Sequence, residues 1–160
     1  VLYWVPFIIG AKCEMTKTIP AGTTMHEAAV VIEVPFHDVD VMRVAWHGHY
    51  VKYLEVARCA LLDKIEYNYP QMEASGYAWP VIDLRIRYAQ PLKFQQKVLV
   101  TATVAEWENR LKINYVISDL ESGRRLTKGS TTQVAVEIKS GEMLFESPKI
   151  MFTKLGLNGV

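Results

Sequence analysis

Residues 36–58 read F-H-D-V-D-V-M-R-V-A-W-H-G-H-Y-V-K-Y-L-E-V-A-R, and they decide the fold because a polar loop passes into a helix within them. From Tyr50 the apolar positions fall at Tyr50, Leu54, Ala57, Leu61 and Ile65, steps of three and four that put one stripe on one helix face. Lys52, Glu55, Arg58 and Lys64 are expected on the other face, with Glu55 and Arg58 forming an ion pair worth about 0.2–0.5 kcal/mol. The spacing predicts a helix from near Gly48 or His49 to about Asn68, stopped by Asn68 and Pro70, with a short second turn over 70–75 closed by Gly76.

Two carboxylates, Asp38 and Asp40, and three of the four histidines, His37, His47 and His49, gather ahead of that helix. Residues 37–47 show no period and read as an ordered loop, which is where polar groups for chemistry concentrate. The N–H groups around His47 to Tyr50 lack intrahelical acceptors and carry the positive end of the helix dipole, a setting that suits a developing oxyanion.

Beyond Gly76 the period falls to two. Ile82, Leu84, Ile86 and Tyr88 alternate with Asp83, Arg85 and Arg87, Lys97–Trp107 is mostly β-branched, and Leu111, Ile113, Tyr115 and Ile117 alternate with polar residues. A long strand is expected over Arg124–Ile138, and a first strand, ending at Pro35, precedes the loop over Ala28–Phe36. One strand, one long helix and four strands with short connections predict an α+β domain, a curved antiparallel sheet of about five strands wrapped around the helix. The expected divisions are an extension over residues 1–27, the domain over 28–140 and a tail over 141–160.

The 18 basic and 17 acidic side chains leave a net charge of +1, so no global field points to nucleic acid. No apolar run reaches the roughly 18 residues of a membrane span. The nearest, V-L-Y-W-V-P-F-I-I over Val1–Ile9, is broken by Pro6 and lacks a basic flank, so it reads as an extension packing on the domain or a partner rather than a targeting segment. Cys13 and Cys59 form neither a disulfide framework nor a zinc spacing, and a reducing, cytoplasmic setting is expected.

The spacing D-x-D-x3-V-x-W-H-x-x-Y-x-x-Y-x-E-x-A-R, carried by Asp38, Asp40, Val44, Trp46, His47, Tyr50, Tyr53, Glu55, Ala57 and Arg58, resembles the signature of the 4-hydroxybenzoyl-CoA thioesterase family of hotdog proteins. The likeness continues through R-Y-A-Q-P-L-K-F at 87–94 and covers residues 28 to about 140. It implies the hotdog fold, a homodimer joined edge to edge or a dimer of dimers, active sites at the subunit interface, and metal-free hydrolysis of acyl-CoA thioesters. Coenzyme A is then part of the substrate, no cofactor is expected, and an acyl-carrier-protein thioester is the alternative substrate.

Carried over by position, the family's catalytic carboxylate is Asp40, its activating backbone N–H lies near His47, and Gly48, His49 and Arg43 are the expected substrate contacts. Two positions depart from the family. Arg43 stands where Gly is usual, which implies a different loop conformation, and His49 stands where Asn is common. Asp38 reads as the structural partner of the pair. A metal held by His37, Asp40, His47 and His49 is disfavoured because the motif resembled is metal-free. Arg85, Arg87 and Lys128 could meet the phosphates of coenzyme A, but for each a solvated strand face is the preferred reading. Two rivals remain, a hotdog dehydratase or isomerase on acyl carriers and a dimer that binds acyl thioesters without turnover.

Overall fold

The computed structural model describes residues 26–157. In chain order β1 is Glu27–Glu33, α1 is Tyr50–Lys64, α2 is Tyr69–Ala74, β2 is Tyr77–Ala78 and β3 is Val81–Tyr88. Then come β4 (Lys97–Glu106), β5 (Leu111–Asp119), β6 (Arg125–Gln133), β7 (Val136–Glu137) and α3 (Lys149–Lys154). Five strands form one antiparallel sheet in the order β1-β4-β5-β6-β3, and β2 pairs with β7 in a separate ribbon.

The helix stripe is confirmed, since Tyr50, Leu54, Ala57, Leu61 and Ile65 are all buried. At about 1.5–3 kcal/mol per large apolar side chain, this face is a principal source of stability. It lies close on the sheet: a Cβ at Gly129 on β6 would stand 3.1 Å from Leu54 Cδ1 and 3.1 Å from the Arg85 carbonyl.

Five expectations are corrected. The helix ends at Lys64 rather than near Asn68, because Glu66 adopts φ 54° and Tyr67 N–H donates to the Leu62 carbonyl at 2.9 Å. That is a Schellman stop with Glu in glycine's usual place, sealed by Leu62 against Tyr67, both fully buried. Asn68 instead caps α2 with Gln71 in a capping box. Arg58 does not face away: it is 5% exposed, donates to Glu55 and Tyr69, and lies over the Tyr69 ring, because α2 folds back across it.

The expected strand over 124–138 breaks after Gln133, and Val136–Glu137 leave the sheet to pair with Tyr77–Ala78. Finally, β3 is not a neighbour of β4. It crosses to the far edge and pairs with β6, leaving one side of β3 without a partner strand among the described residues. Its inward apolar residues are consequently half-covered, with Ile82 59% and Leu84 41% exposed. The packed body also extends past residue 140, since Met151 and Leu155 of the α3 segment are buried in the core. The expected extension over 1–27 lies almost wholly outside the described residues.

Candidate active site

Between β1 and α1 the chain makes a short turn over Phe36–Asp38, a tight hairpin over Val39–Ala45, and a second turn over His47–His49 that runs directly into α1. The hairpin closes through a Val39–Ala45 bridge, Asp40 N–H to the Val44 carbonyl at 3.0 Å, and Arg43 N–H to the Asp40 carbonyl at 2.9 Å. Arg43 takes φ 62°, the left-handed region that Gly enters freely. Arginine here carries the strain of a backbone conformation that glycine enters freely.

Asp40 sits half-buried at the hairpin's start, and its Oδ1 accepts the Met42 N–H at 2.8 Å. No other hydrogen bond to its carboxylate occurs among the described residues, so the remaining lone pairs are open. Arg43 is exposed at the hairpin tip beside Val41, 99% exposed, and Met42, 76% exposed.

Asp38 has the opposite environment. Only 2% exposed, it accepts from Tyr53 Oη at 2.7 Å and Lys52 Nζ at 2.5 Å, with His49 Nδ1 at 3.7 Å and His37 Nε2 at 3.8 Å. Burial pushes its pKa up, but the hydrogen bonds from Lys52 and Tyr53 and the nearby positive charge outweigh burial and hold the carboxyl below its usual range. Tyr53 responds in the other direction, since burial and the Asp38 carboxylate push its hydroxyl well above the usual phenol value. The backbone carbonyl of Asp38 accepts the Trp46 N–H at 2.9 Å. One residue thus ties the end of the hairpin to three positions in the first turns of the helix.

The turn at His47–His49 is fixed from several sides. His49 N–H donates to the Trp46 carbonyl, which removes it from the N–H groups at this helix start that are open to an oxyanion. Tyr88 at the end of β3 donates from its Oη to the His47 carbonyl at 2.9 Å, and its ring stands edge-on to Tyr50 at 4.8 Å. Tyr50 Oη in turn accepts the Leu92 N–H at 3.1 Å. The Trp46 ring covers Gly48 so closely that a Cβ there would fall 2.1 Å from it, while His47 and His49 flank that ring at 4.9 and 5.3 Å.

The loop thus brings Asp40, His47 and Gly48 into one folded unit and turns His49 toward Asp38 rather than outward. Lys52, Tyr53 and Tyr88 were not anticipated as members. Tyr53 carries the motif's second tyrosine but reads as helix core, and Lys52 reads as a solvated lysine. Among the described residues no three of His, Cys, Asp and Glu are grouped so as to hold a metal ion, and no helix is long and apolar enough to cross a membrane.

Comparison with known proteins places this loop in a family. The profile of the thioesterase-like superfamily matches residues 34–150. The chain is 27% identical over 117 residues to the "Putative acyl-CoA thioesterase YneP" of Bacillus subtilis, covering 72% of this chain and 84% of that protein. It is 28% identical over 123 residues to a protein of Synechocystis sp. named "Putative esterase", covering 76% and 74%. A crystal structure of DHNA-CoA thioesterase from Staphylococcus aureus superposes with a TM-score of 0.67 at 29% identity, over 74% of this chain and 80% of that one. With its central helix, its five-stranded antiparallel sheet and that match over most of its length, the chain belongs to the thioesterase-like superfamily of hotdog proteins.

Proposed function

We infer that this hotdog thioesterase hydrolyses acyl-CoA thioesters with Asp40 as the reactive carboxylate and the N–H groups of His47 and Gly48 as the oxyanion site. The observation that carries this reading is the contrast between the two aspartates: Asp38 is saturated with partners, whereas Asp40 holds a single backbone N–H and keeps the rest of its carboxylate open. A group that must take a proton or attack a carbonyl needs the second environment.

As general base, Asp40 removes a proton from water while the water oxygen attacks the thioester carbonyl; the C–S bond then breaks and the thiolate takes up the proton. As nucleophile, Asp40 attacks the carbonyl, expels the thiolate as an acyl anhydride forms, and water hydrolyses that anhydride. Both routes develop negative charge on the carbonyl oxygen, and unpaired N–H donors at a helix start stabilise it. His47 flanks those donors and assists from the rim, with exposed Arg43 at the hairpin tip lining the approach and His49 turned to Asp38. Thiolate is a good leaving group, so neither route requires a metal or a cofactor.

The site works in at least a homodimer, extended to a dimer of dimers. The open edge of β3 and its half-exposed apolar residues support this, because an unpaired edge of that kind invites a second copy. A reducing, cytoplasmic setting suits Cys59, which forms no disulfide among the described residues. Thiol release measured over a panel of acyl-CoA and acyl-carrier-protein thioesters, before and after EDTA and dialysis, tests the reading. Turnover of an acyl-CoA that survives chelation is expected; absence of turnover across the panel, or loss restored by one divalent ion, contradicts it.

A further inference from the structure

A peptide unit is planar and trans, so a group that fixes its carbonyl also fixes the direction of its N–H on the opposite side. The carbonyl of His47 and the N–H of Gly48 belong to one such unit. Tyr88 donates to that carbonyl at 2.9 Å from the last position of β3, 41 residues along the chain. Its ring is itself held, edge-on to Tyr50 at 4.8 Å, and the Tyr50 hydroxyl is tied to the Leu92 N–H at 3.1 Å just beyond the strand. Partial burial pushes the Tyr88 phenol above its usual value, which keeps the hydroxyl protonated and donating.

Glycine at position 48 makes such a restraint necessary. A Cβ there would fall 2.1 Å from the Trp46 ring, so no larger residue fits while that ring keeps its place. Glycine, however, rotates about φ with few steric limits, and the peptide between His47 and Gly48 could swing its N–H away from a bound carbonyl at little cost. The Tyr88 bond opposes that swing, because turning the peptide would break it. It also strengthens the donor: a hydrogen bond accepted by an amide carbonyl polarises the amide, and linked hydrogen bonds reinforce one another.

We propose that Tyr88 is a positioning residue for the hydrolysis, clamping and polarising the His47–Gly48 peptide so that the Gly48 N–H stays aimed at the thioester oxygen. The proposal rests on the acyl-CoA reading above, which takes that N–H as an oxyanion donor. Negative charge reaches the oxygen only as the tetrahedral intermediate forms, so the clamp acts on turnover more than on substrate binding.

Tyr88→Phe removes only the hydroxyl and leaves the ring on Tyr50. In this variant kcat on acyl-CoA should fall roughly 10–100-fold, short of the about 10²–10³ lost with an oxyanion donor itself, while KM stays within about twofold. A merely structural hydroxyl would not divide its effect in that way. The sequence also offers a readout independent of activity. Of the four histidines only His47 precedes a glycine, so labelling histidine carbonyl carbons and glycine nitrogens together gives a single correlated NMR peak from this peptide. In Tyr88→Phe that peak should move upfield in both carbon and nitrogen, with the melting temperature within a few degrees of wild type. An unmoved peak, an unchanged kcat, or a rise in KM with kcat retained overturns the proposal. Wild-type protein inactive on every acyl-CoA would instead overturn the thioesterase reading itself, whatever the peak does.

Discussion

The backbone carbonyl of Asp38 accepts the amide of Trp46 at 2.9 Å, so the hairpin bearing Asp40 closes onto the turn that begins at His47. Because the Asp38 carboxylate also holds Lys52 and Tyr53, the same residue fixes the angle between hairpin and helix. Asp40 and the turn at His47–His49 owe their relation to this third residue.

Asp38 should therefore make the fold acid-sensitive. Its folded-state pKa is depressed, so its contribution is fully present above the unfolded value near 3.8 and is lost as pH falls through the lower folded value. Asp38→Ala leaves the Tyr53 hydroxyl buried without its acceptor, a loss of about 1–3 kcal/mol. Urea unfolding at pH 7 and at progressively lower pH should show the gap between wild type and variant closing on the acid side; a constant gap contradicts the assignment.

Arg43→Gly should stabilise the chain. The left-handed conformation costs an L-residue roughly 1–2 kcal/mol, of which glycine's greater unfolded-state freedom returns about 0.5–1 kcal/mol. A gain of several tenths to about 1 kcal/mol in chemical denaturation is expected. Destabilisation would mean that the Arg43 side chain makes contacts worth more than the turn's strain.

Leu84→Lys on the open edge should dissociate the assembly. Leu84 is 41% exposed with no partner strand beyond it among the described residues, and in the proposed edge-to-edge dimer a lysine there would be buried close to its own copy. Light scattering should shift from a multiple of 18.2 kDa to the monomer mass, with loss of activity. A wild type that is already an active 18.2 kDa monomer at micromolar concentration refutes the dimer.

How far the sequence could be read depended on the range of each interaction. The stripe from Tyr50 to Ile65 was legible because helix period is local, but its end was hidden by Glu66, which takes a left-handed stop that only glycine advertises. The strands were visible as alternation, yet β3 pairing with β6 was not, because nothing in the connection over residues 89–96 distinguishes a hairpin from a crossing to the far edge. In the site, the motif brought Asp40 and His47 into one loop. Asp38 as a hub was only half legible: its partners lie 14 and 15 residues on, and Lys52 resembles any other helix-surface lysine.

The most direct test of the account is kcat for Asp40→Asn, measured with thermal unfolding on the same preparation. Asparagine keeps the shape and can still accept the Met42 N–H through its amide oxygen, but it has neither the charge nor the basicity that either hydrolytic route requires. The account predicts a folded protein, assembled like wild type, whose kcat on its best acyl-CoA falls by about 10²–10⁴. A variant that hydrolyses near the wild-type rate would contradict it and move the reactive group to His47.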